Sequence, residues 1–231
     1  MIEAILPDRV IAVEAREDSA SGTLFPGEEA AVARSVEKRR REFITARACA
    51  RAACAQLGVA PSPITTGGRG EPQWPAGLVG SITHCDGYRG CAVARSTDMS
   101  TVGIDAEPDA PLPVGVLRDI ARSEELPGLS ALKHDVPGVH WDRLLFSAKE
   151  SVYKAWYPLT KRWLGFEDAV ITFGPYNGTF DARLLISGPV FAGRRLAGFS
   201  GRWLVDEGLV LTAVALATPV TSGGGAPQRE R

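Results

Sequence analysis

Residues 30–57 contain no Gly or Pro, are rich in Ala, Arg and Glu, and stop at Gly58 with Pro61 and Pro63 just beyond. That composition favours a helix throughout, and a Gly followed by prolines ends one. It predicts a long, strongly basic helix over 30–57. A second helix is predicted over 143–157, where Leu145, Ala148, Val152 and Ala155 recur at steps of three and four and make one apolar face. Strand-length runs follow each helix. Residues 78–83 and 88–94 flank a turn at Asp86-Gly87, and 101–107 ends at Pro108. Residues 169–173, 182–186, 201–205 and 209–215 follow the second helix, the last two joined through Asp206-Glu207-Gly208. The stretch 111–139 reads as loop with one short helix near 114–122. Helix then strands, twice over, predicts an α+β chain of two similar halves, 1–100 and 101–217. The Ser/Gly/Pro-rich, charged tail over 218–231 is expected to be disordered.

Composition narrows the class. A chain of 231 residues, 45% apolar and 23% charged, can bury a substantial core as an ordinary globular protein. Its net charge of −1 gives no global pull toward nucleic acid or anionic membrane, so any anion site must come from local clustering of basic residues. Nucleic-acid binding through an arginine-rich helix fits that balance poorly. No apolar run is long enough to span a bilayer, 209–217 being strand length, and the charged start of the chain does not read as a secretory signal. Cys49, Cys54, Cys85 and Cys91 form no C-x-x-C pair and suggest thiols of a reducing cytoplasm rather than a zinc site.

Four groups of residues could carry chemistry. Along a strand over 101–107, Asp105 and Glu107 point to one face and Val102, Ile104 and Ala106 to the other. Two carboxylates so placed suit a hard divalent ion that also takes water and phosphate oxygens, although an isolated D-x-E is more often a solvated strand end. Ser147, Glu150 and Lys154 share a helix face away from the apolar stripe. An exposed i,i+4 Glu–Lys pair is the ordinary explanation, and a base or metal ligand beside a phosphate-binding lysine is the functional one. Arg40, Arg47 and Arg51 fall on one face of the first helix, with Lys38 and Arg39 adjacent, as a solvated face or a site for a polyanion. Gly67, Gly68, Arg69 and Gly70 form a loop whose backbone N–H groups could approach a phosphate, leading into Ser81, Thr83 and His84. This loop matches neither a P-loop nor a dinucleotide fingerprint.

In their order and joint content these blocks resemble the phosphopantetheinyl transferases of the larger, single-chain class that activates peptide and polyketide synthases, and most of all their actinobacterial type. The match rests on Lys38-Arg39-Arg40-Arg41-Glu42-Phe43 leading to Ala46-Arg47, and on Gly70-Glu71-Pro72 with Trp74-Pro75 leading to Ser81-Ile82-Thr83-His84. Val102-Gly103-Ile104-Asp105-Ala106-Glu107 and the block from Phe146 through Ser147-Ala148-Lys149-Glu150 to Lys154 complete it.

The resemblance implies a pseudo-twofold α/β fold, each half a helix packed on a small sheet, with coenzyme A as substrate in the cleft between them. It implies that Asp105, Glu107 and Glu150 bind Mg²⁺, with Mn²⁺ as the alternative ion, and that Lys149 and Lys154 neutralise the pyrophosphate. Arg39, Arg47 and His84 would hold the adenosine-end phosphates. Thr66, Gly67, Gly68, Arg69 and Thr83 would line the adenine and ribose, and Leu164 would touch the cofactor through its backbone. The implied reaction moves 4′-phosphopantetheine from coenzyme A to a serine of an apo acyl or peptidyl carrier protein of fatty-acid, polyketide or nonribosomal peptide synthesis, releasing 3′,5′-ADP. Asp105, Glu150 and Lys154 would carry the chemistry, in a cytoplasmic monomer. Ala106 stands where some relatives have a middle acid, and Thr66 where some have a basic residue. The alternatives are a coenzyme A-binding regulatory module without turnover and another metal-dependent nucleotide phosphohydrolase.

Overall fold

The computed structural model describes residues 1–18 and 22–219. Two antiparallel sheets carry most of the chain. The first has the order β1 (Ile11–Ala15), β3 (Tyr88–Arg95), β2 (Leu78–Cys85). The second has five strands in the order β4 (Met99–Pro108), β10 (Leu209–Ala217), β9 (Gly198–Asp206), β6 (Thr179–Leu184), β5 (Ala169–Gly174). A short ribbon of β7 (Val190–Phe191) and β8 (Arg194–Arg195) lies between β6 and β9 in sequence. Helix α1 (Glu37–Gln56) packs on the first sheet and α4 (Trp141–Thr160) on the second, with α2 (Val116–Ile120) and α3 (Leu126–Asp135) in the connection from β4 to α4. Each sheet thus has one long helix on its face, which is the expected helix-and-sheet mixture.

The first helix starts at Glu37 rather than at 30. Glu28 explains the difference. It is fully buried, its carboxylate accepts from Arg51 Nη1 at 2.8 Å and from the Ile64 N–H at 2.8 Å, and Val36 is extended at the N-cap. The segment before α1 therefore folds back over the helix as a short 3₁₀ turn, Glu29–Val32, instead of extending it. The C-terminus ends as predicted, with Gly58 at a φ of 72° and the Val59 N–H reaching back to the Cys54 carbonyl at 3.1 Å.

Helix α4 extends past both expected ends and carries Pro158 in its last turn before Lys161 adopts the left-handed conformation. Helix α3 was expected to be loop. Pro127 and Gly128 at its start mask it in the sequence, and Leu129 is its one buried residue. Strand β1 and the β7–β8 ribbon were also not expected. Of the tail, Thr218 is bonded through its hydroxyl to the Ser96 carbonyl at 2.8 Å, and 220–231 lie outside the described residues.

Strand β4 sets the geometry between the sheets. Val102, Ile104 and Ala106 are fully buried in a cluster that also takes Ile2, Ile5, Tyr88, Leu209 and Leu211. On the helix side, Gly103 lets α4 come close. A Cβ there would overlap the Ser151 carbonyl oxygen and crowd the Ala155 nitrogen. Thr101 Oγ1 donates to the Ala155 carbonyl at 2.8 Å. The first sheet meets β4 along β2 without a backbone ladder. Instead the Ile104 N–H donates to Ser81 Oγ at 3.1 Å and the Ala106 N–H to Thr83 Oγ1 at 3.0 Å. Two hydroxyls therefore stitch the sheets together and leave a cleft beside the seam.

Candidate active site

Asp105 lies at the centre of this seam and is 4% exposed. Its Oδ1 accepts from Lys154 Nζ at 2.7 Å and from Thr83 Oγ1 at 3.2 Å. Its Oδ2 is buried with no hydrogen-bond partner among the described residues. A buried carboxylate oxygen left unpaired is costly, and such an atom marks a place built for a further partner. Lys154 holds its end of the pair with a side chain 25% exposed.

Glu150 stands one turn before Lys154 on α4. Burial raises the pKa of its carboxyl, and the neighbouring Asp105 charge adds to this while Lys154 opposes it. Glu107 follows Asp105 on the same strand face, as the alternation predicted. Its Oε2 accepts from Arg143 Nη1 at 2.8 Å, and burial followed by the Asp105 charge raises its pKa against that guanidinium. Among the described residues no three His, Cys, Asp or Glu side chains converge as a ready cage for a metal ion.

A cavity of about 450 Å³ opens between the two halves next to these groups. Glu150, Tyr153, Lys154 and Tyr157 of α4 form one wall, and Trp74 with 78–82 of β2 the other. Arg69 reaches across the mouth from the Gly-rich loop, its guanidinium 5.8 Å from the Trp163 ring, and Trp163 in turn lies 4.9 Å from the Tyr153 ring. Leu164 is buried beside this wall and, with Glu150 and Lys149, lines a smaller recess of about 100 Å³.

A second focus surrounds His84 at the end of β2. Burial, then the positive charges of Arg39, Lys154 and Arg89, push its pKa down to about 4. The ring is therefore neutral near pH 7 and sits where three cations already concentrate positive potential. Arg39 is half exposed and only 3.6 Å from Glu42 Oε2, so it can turn to an incoming anion. Arg89, which the sequence reading did not single out, is buried and held by both oxygens of Asp18 at 2.9 and 3.1 Å.

Several expected site residues are placed differently. Lys149 is turned into the core of the second half. Its ammonium donates to the Phe166 carbonyl at 2.7 Å and the Ala169 carbonyl at 3.0 Å and pairs with buried Glu125 at 2.9 Å, which occupies all its N–H groups. Arg47 is likewise buried. Its Nε donates to the Ile64 carbonyl at 2.7 Å and its Nη2 to Thr66 Oγ1 at 3.1 Å, so it braces the Gly-rich loop from below. Arg51 is neutralised by Glu28. Of the predicted basic face, Arg47 and Arg51 are buried and Arg40 half-buried, so exposed positive charge on α1 is confined to its N-terminal turns, at Lys38 and Arg39 of that prediction and at Arg41.

The loop spends part of its own backbone. The Gly67 N–H donates to the Glu71 carbonyl at 2.8 Å, the Gly70 N–H to the Gly67 carbonyl at 3.1 Å, and the Arg69 N–H to Glu71 Oε2 at 2.9 Å. Three of the N–H groups expected to face a phosphate are committed to a tight turn. Ser147 was placed with Glu150 and Lys154 on an outer face. It is fully buried and bonded to Thr212 Oγ1 of β10 at 2.9 Å. Helical spacing shows which residues share a face, and only packing shows which face is the cleft.

The comparisons with known proteins bear on the whole of this arrangement. Residues 27–94 match the family described as the 4′-phosphopantetheinyl transferase N-terminal domain, and residues 101–188 match the 4′-phosphopantetheinyl transferase superfamily. The chain is 54% identical to the 4′-phosphopantetheinyl transferase Svp of Streptomyces mobaraensis, over 95% of this chain and 90% of the relative. It is 50% identical to the 4′-phosphopantetheinyl transferase PptT of Mycobacterium tuberculosis, over 94% of this chain and 98% of that one. The corresponding enzyme Npt of Nocardia iowensis is 51% identical, over 94% of this chain and all of its own length. With matched segments on both sides of the β2–β4 seam and relatives aligned nearly end to end, the chain belongs to the 4′-phosphopantetheinyl transferase superfamily.

Proposed function

We propose that this chain transfers the 4′-phosphopantetheine arm of coenzyme A to a serine of a carrier protein in the cleft between β2 and α4. One observation carries the site assignment. Asp105 has one oxygen on Lys154 and the other buried and unpaired, beside a cavity of about 450 Å³ between the two halves. That volume suits the pantetheine arm, with its mixed wall of aromatic rings and a few polar groups.

The adenosine-end phosphates would lie near His84 and Arg39, where positive charge is concentrated. Lys154 is free to exchange Asp105 for the pyrophosphate, since a single contact holds it and it has a flexible stem. Asp105 Oδ2, Glu150 and the remaining oxygen of Glu107 would supply oxygen donors of the kind Mg²⁺ takes, although they do not converge as a ready cage, so water and phosphate would complete the shell. When bound, the ion supplies charge offset at the pyrophosphate, where phosphoryl transfer gains most. Arg69, Trp163 and Tyr153 close the mouth and limit water.

Glu150 is the base. Its raised pKa brings it nearer the working pH than an ordinary glutamate, and it lies in the cavity wall where the carrier serine must enter. The serine oxygen forms a bond to the β-phosphorus of coenzyme A, the serine proton passes to Glu150, and the bond to 3′,5′-ADP breaks. Lys154 meets the charge on the departing phosphate. The carrier, an acidic domain, would dock near the exposed N-terminal turn of α1.

Intact mass of an apo carrier protein after incubation with the chain, Mg²⁺ and coenzyme A tests this reading. A chelator-sensitive gain of one phosphopantetheine on the serine is expected from the wild type, and none from E150Q, which should stay folded and keep binding coenzyme A. Free phosphopantetheine without carrier labelling would point to a phosphohydrolase, and binding with no product to a regulatory module.

A further inference from the structure

Arg143 lies in the first turn of α4 and closes on the segment that follows β4. Its guanidinium has three acceptors: Nη1 donates to Glu107 Oε2 at 2.8 Å, Nε to the Ala110 carbonyl at 3.0 Å and Nη2 to the Pro111 carbonyl at 3.0 Å. Two neighbours tie the same segment down. His140 Nδ1 is 2.7 Å from Asp109 Oδ1, and the Leu112 N–H donates to Asp142 Oδ2 at 2.9 Å. The Arg143 side chain is only 15% exposed, and its guanidinium cannot leave Glu107 as a whole without abandoning two backbone carbonyls. Lys154 differs, since among the described residues its ammonium has Asp105 as its one ion-pair partner. The site thus holds two protein cations against Asp105, Glu107 and Glu150. One of them is exchangeable and the other is fixed.

We propose that Arg143 is a positioning residue and permanent counter-charge for the transfer site, holding Glu107 by one oxygen and keeping the carboxylates from binding a divalent cation tightly until the pyrophosphate of coenzyme A arrives. This rests on the assignment of Asp105 and Glu150 as cation ligands made above. The physical reason is charge balance. Three carboxylates offset by one fixed cation and one lysine offer a divalent ion little net attraction. A pyrophosphate that draws Lys154 away both adds negative charge and uncovers Asp105 Oδ1. Cation and coenzyme A then bind cooperatively, and by linkage each strengthens the other to the same degree. Lys154, which moves, sets the size of that coupling, while Arg143, which stays in place in both states, lowers the cation's affinity in both and so keeps binding weak until the pyrophosphate arrives. A unit charge within a few ångströms of the ion, in a partly buried site, is enough to change its affinity by about tenfold or more.

Mn²⁺ is the probe, with free ion read by electron paramagnetic resonance, with and without coenzyme A. The proteins are the full chain as wild type, R143Q, R143M, R143K and D105N, each checked for fold by circular dichroism. R143Q and R143M are made together so that one folded, charge-free variant carries the readout. The expected result is that the charge-free variant binds Mn²⁺ about tenfold more tightly than wild type both without and with coenzyme A, the enhancement by coenzyme A staying the same. R143K, which keeps the charge, should stay close to wild type. D105N should lose Mn²⁺ binding under all conditions. Unchanged or weaker Mn²⁺ binding in a folded R143Q or R143M, with D105N still defective, would overturn the proposal and leave Arg143 as a structural fastening. Wild-type Mn²⁺ affinity in D105N would instead remove the cation assignment itself, and the role of Arg143 with it.

Discussion

A single hydroxyl of β2, Thr83 Oγ1, makes two bonds across the seam to β4. It accepts from the Ala106 N–H and donates to Asp105 Oδ1. T83V keeps the shape and removes both bonds, leaving a buried N–H without an acceptor. The expected loss is about 1–3 kcal/mol in urea unfolding, with a lowered kcat because Asp105 loses a fixed neighbour, and T83S should recover most of both. His84 gives a pH signature of its own. Its pKa in the folded state, about 4, lies below the ordinary 6.5, so between those values the unfolded chain takes up a proton that the native chain does not. Stability is therefore full above about pH 6.5 and falls as the pH drops toward 4, and H84Q should flatten that slope. Coenzyme A, by bringing phosphate to the ring, should raise the His84 pKa, which NMR titration of the imidazole can follow by difference from H84Q.

At the scale of elements, the close approach of α4 to β4 through Gly103 holds Glu150 and Lys154 over Asp105. In G103A the added methyl meets backbone on the helix rather than a movable side chain, so the helix must lift. A loss of about 1–3 kcal/mol in stability is expected. Transfer should fall further than stability does, since the carboxylates separate along with the elements. The two long helices and strands β2 to β6, β9 and β10 were legible because their apolar periods and turn dipeptides are local signals. The start of α1 was not, because Glu28 is drawn away by Arg51 and Ile64, contacts that no window of local sequence contains. Spacing paired Asp105 with Glu107 and Glu150 with Lys154 as weak separate signals, and only the family resemblance implied one site; Lys154 Nζ lies 2.7 Å from Asp105 Oδ1. Lys149 was misplaced because its partner Glu125 comes from the connection that read as loop, and Arg143 was overlooked because two of its three acceptors, the Ala110 and Pro111 carbonyls, lie on an irregular segment.

Across the whole molecule, a net charge of −1 conceals local concentration. The exposed cations Lys38, Arg39 and Arg41 stand near one end of α1 while the carboxylates gather at the seam. If an acidic carrier docks on those cations, its KM should rise steeply with salt while coenzyme A affinity, held in a half-buried cleft, changes less. A salt-insensitive carrier KM would exclude that docking face. The order of the second sheet has a further effect, on timing. Asp105 pairs with Thr212, about a hundred residues later in the chain, and β10 lies between β4 and β9. During synthesis the strand bearing Asp105 and Glu107 emerges well before its neighbour exists. At about 5–20 residues per second that interval is roughly 5–20 s. Throughout it, Val102, Ile104 and Ala106 lack the cover of Leu209 and Leu211, and one edge of β4 has no partner. The nascent chain thus presents an apolar strand of the kind that chaperones bind, and it acquires its carboxylate site only once β10 has been made.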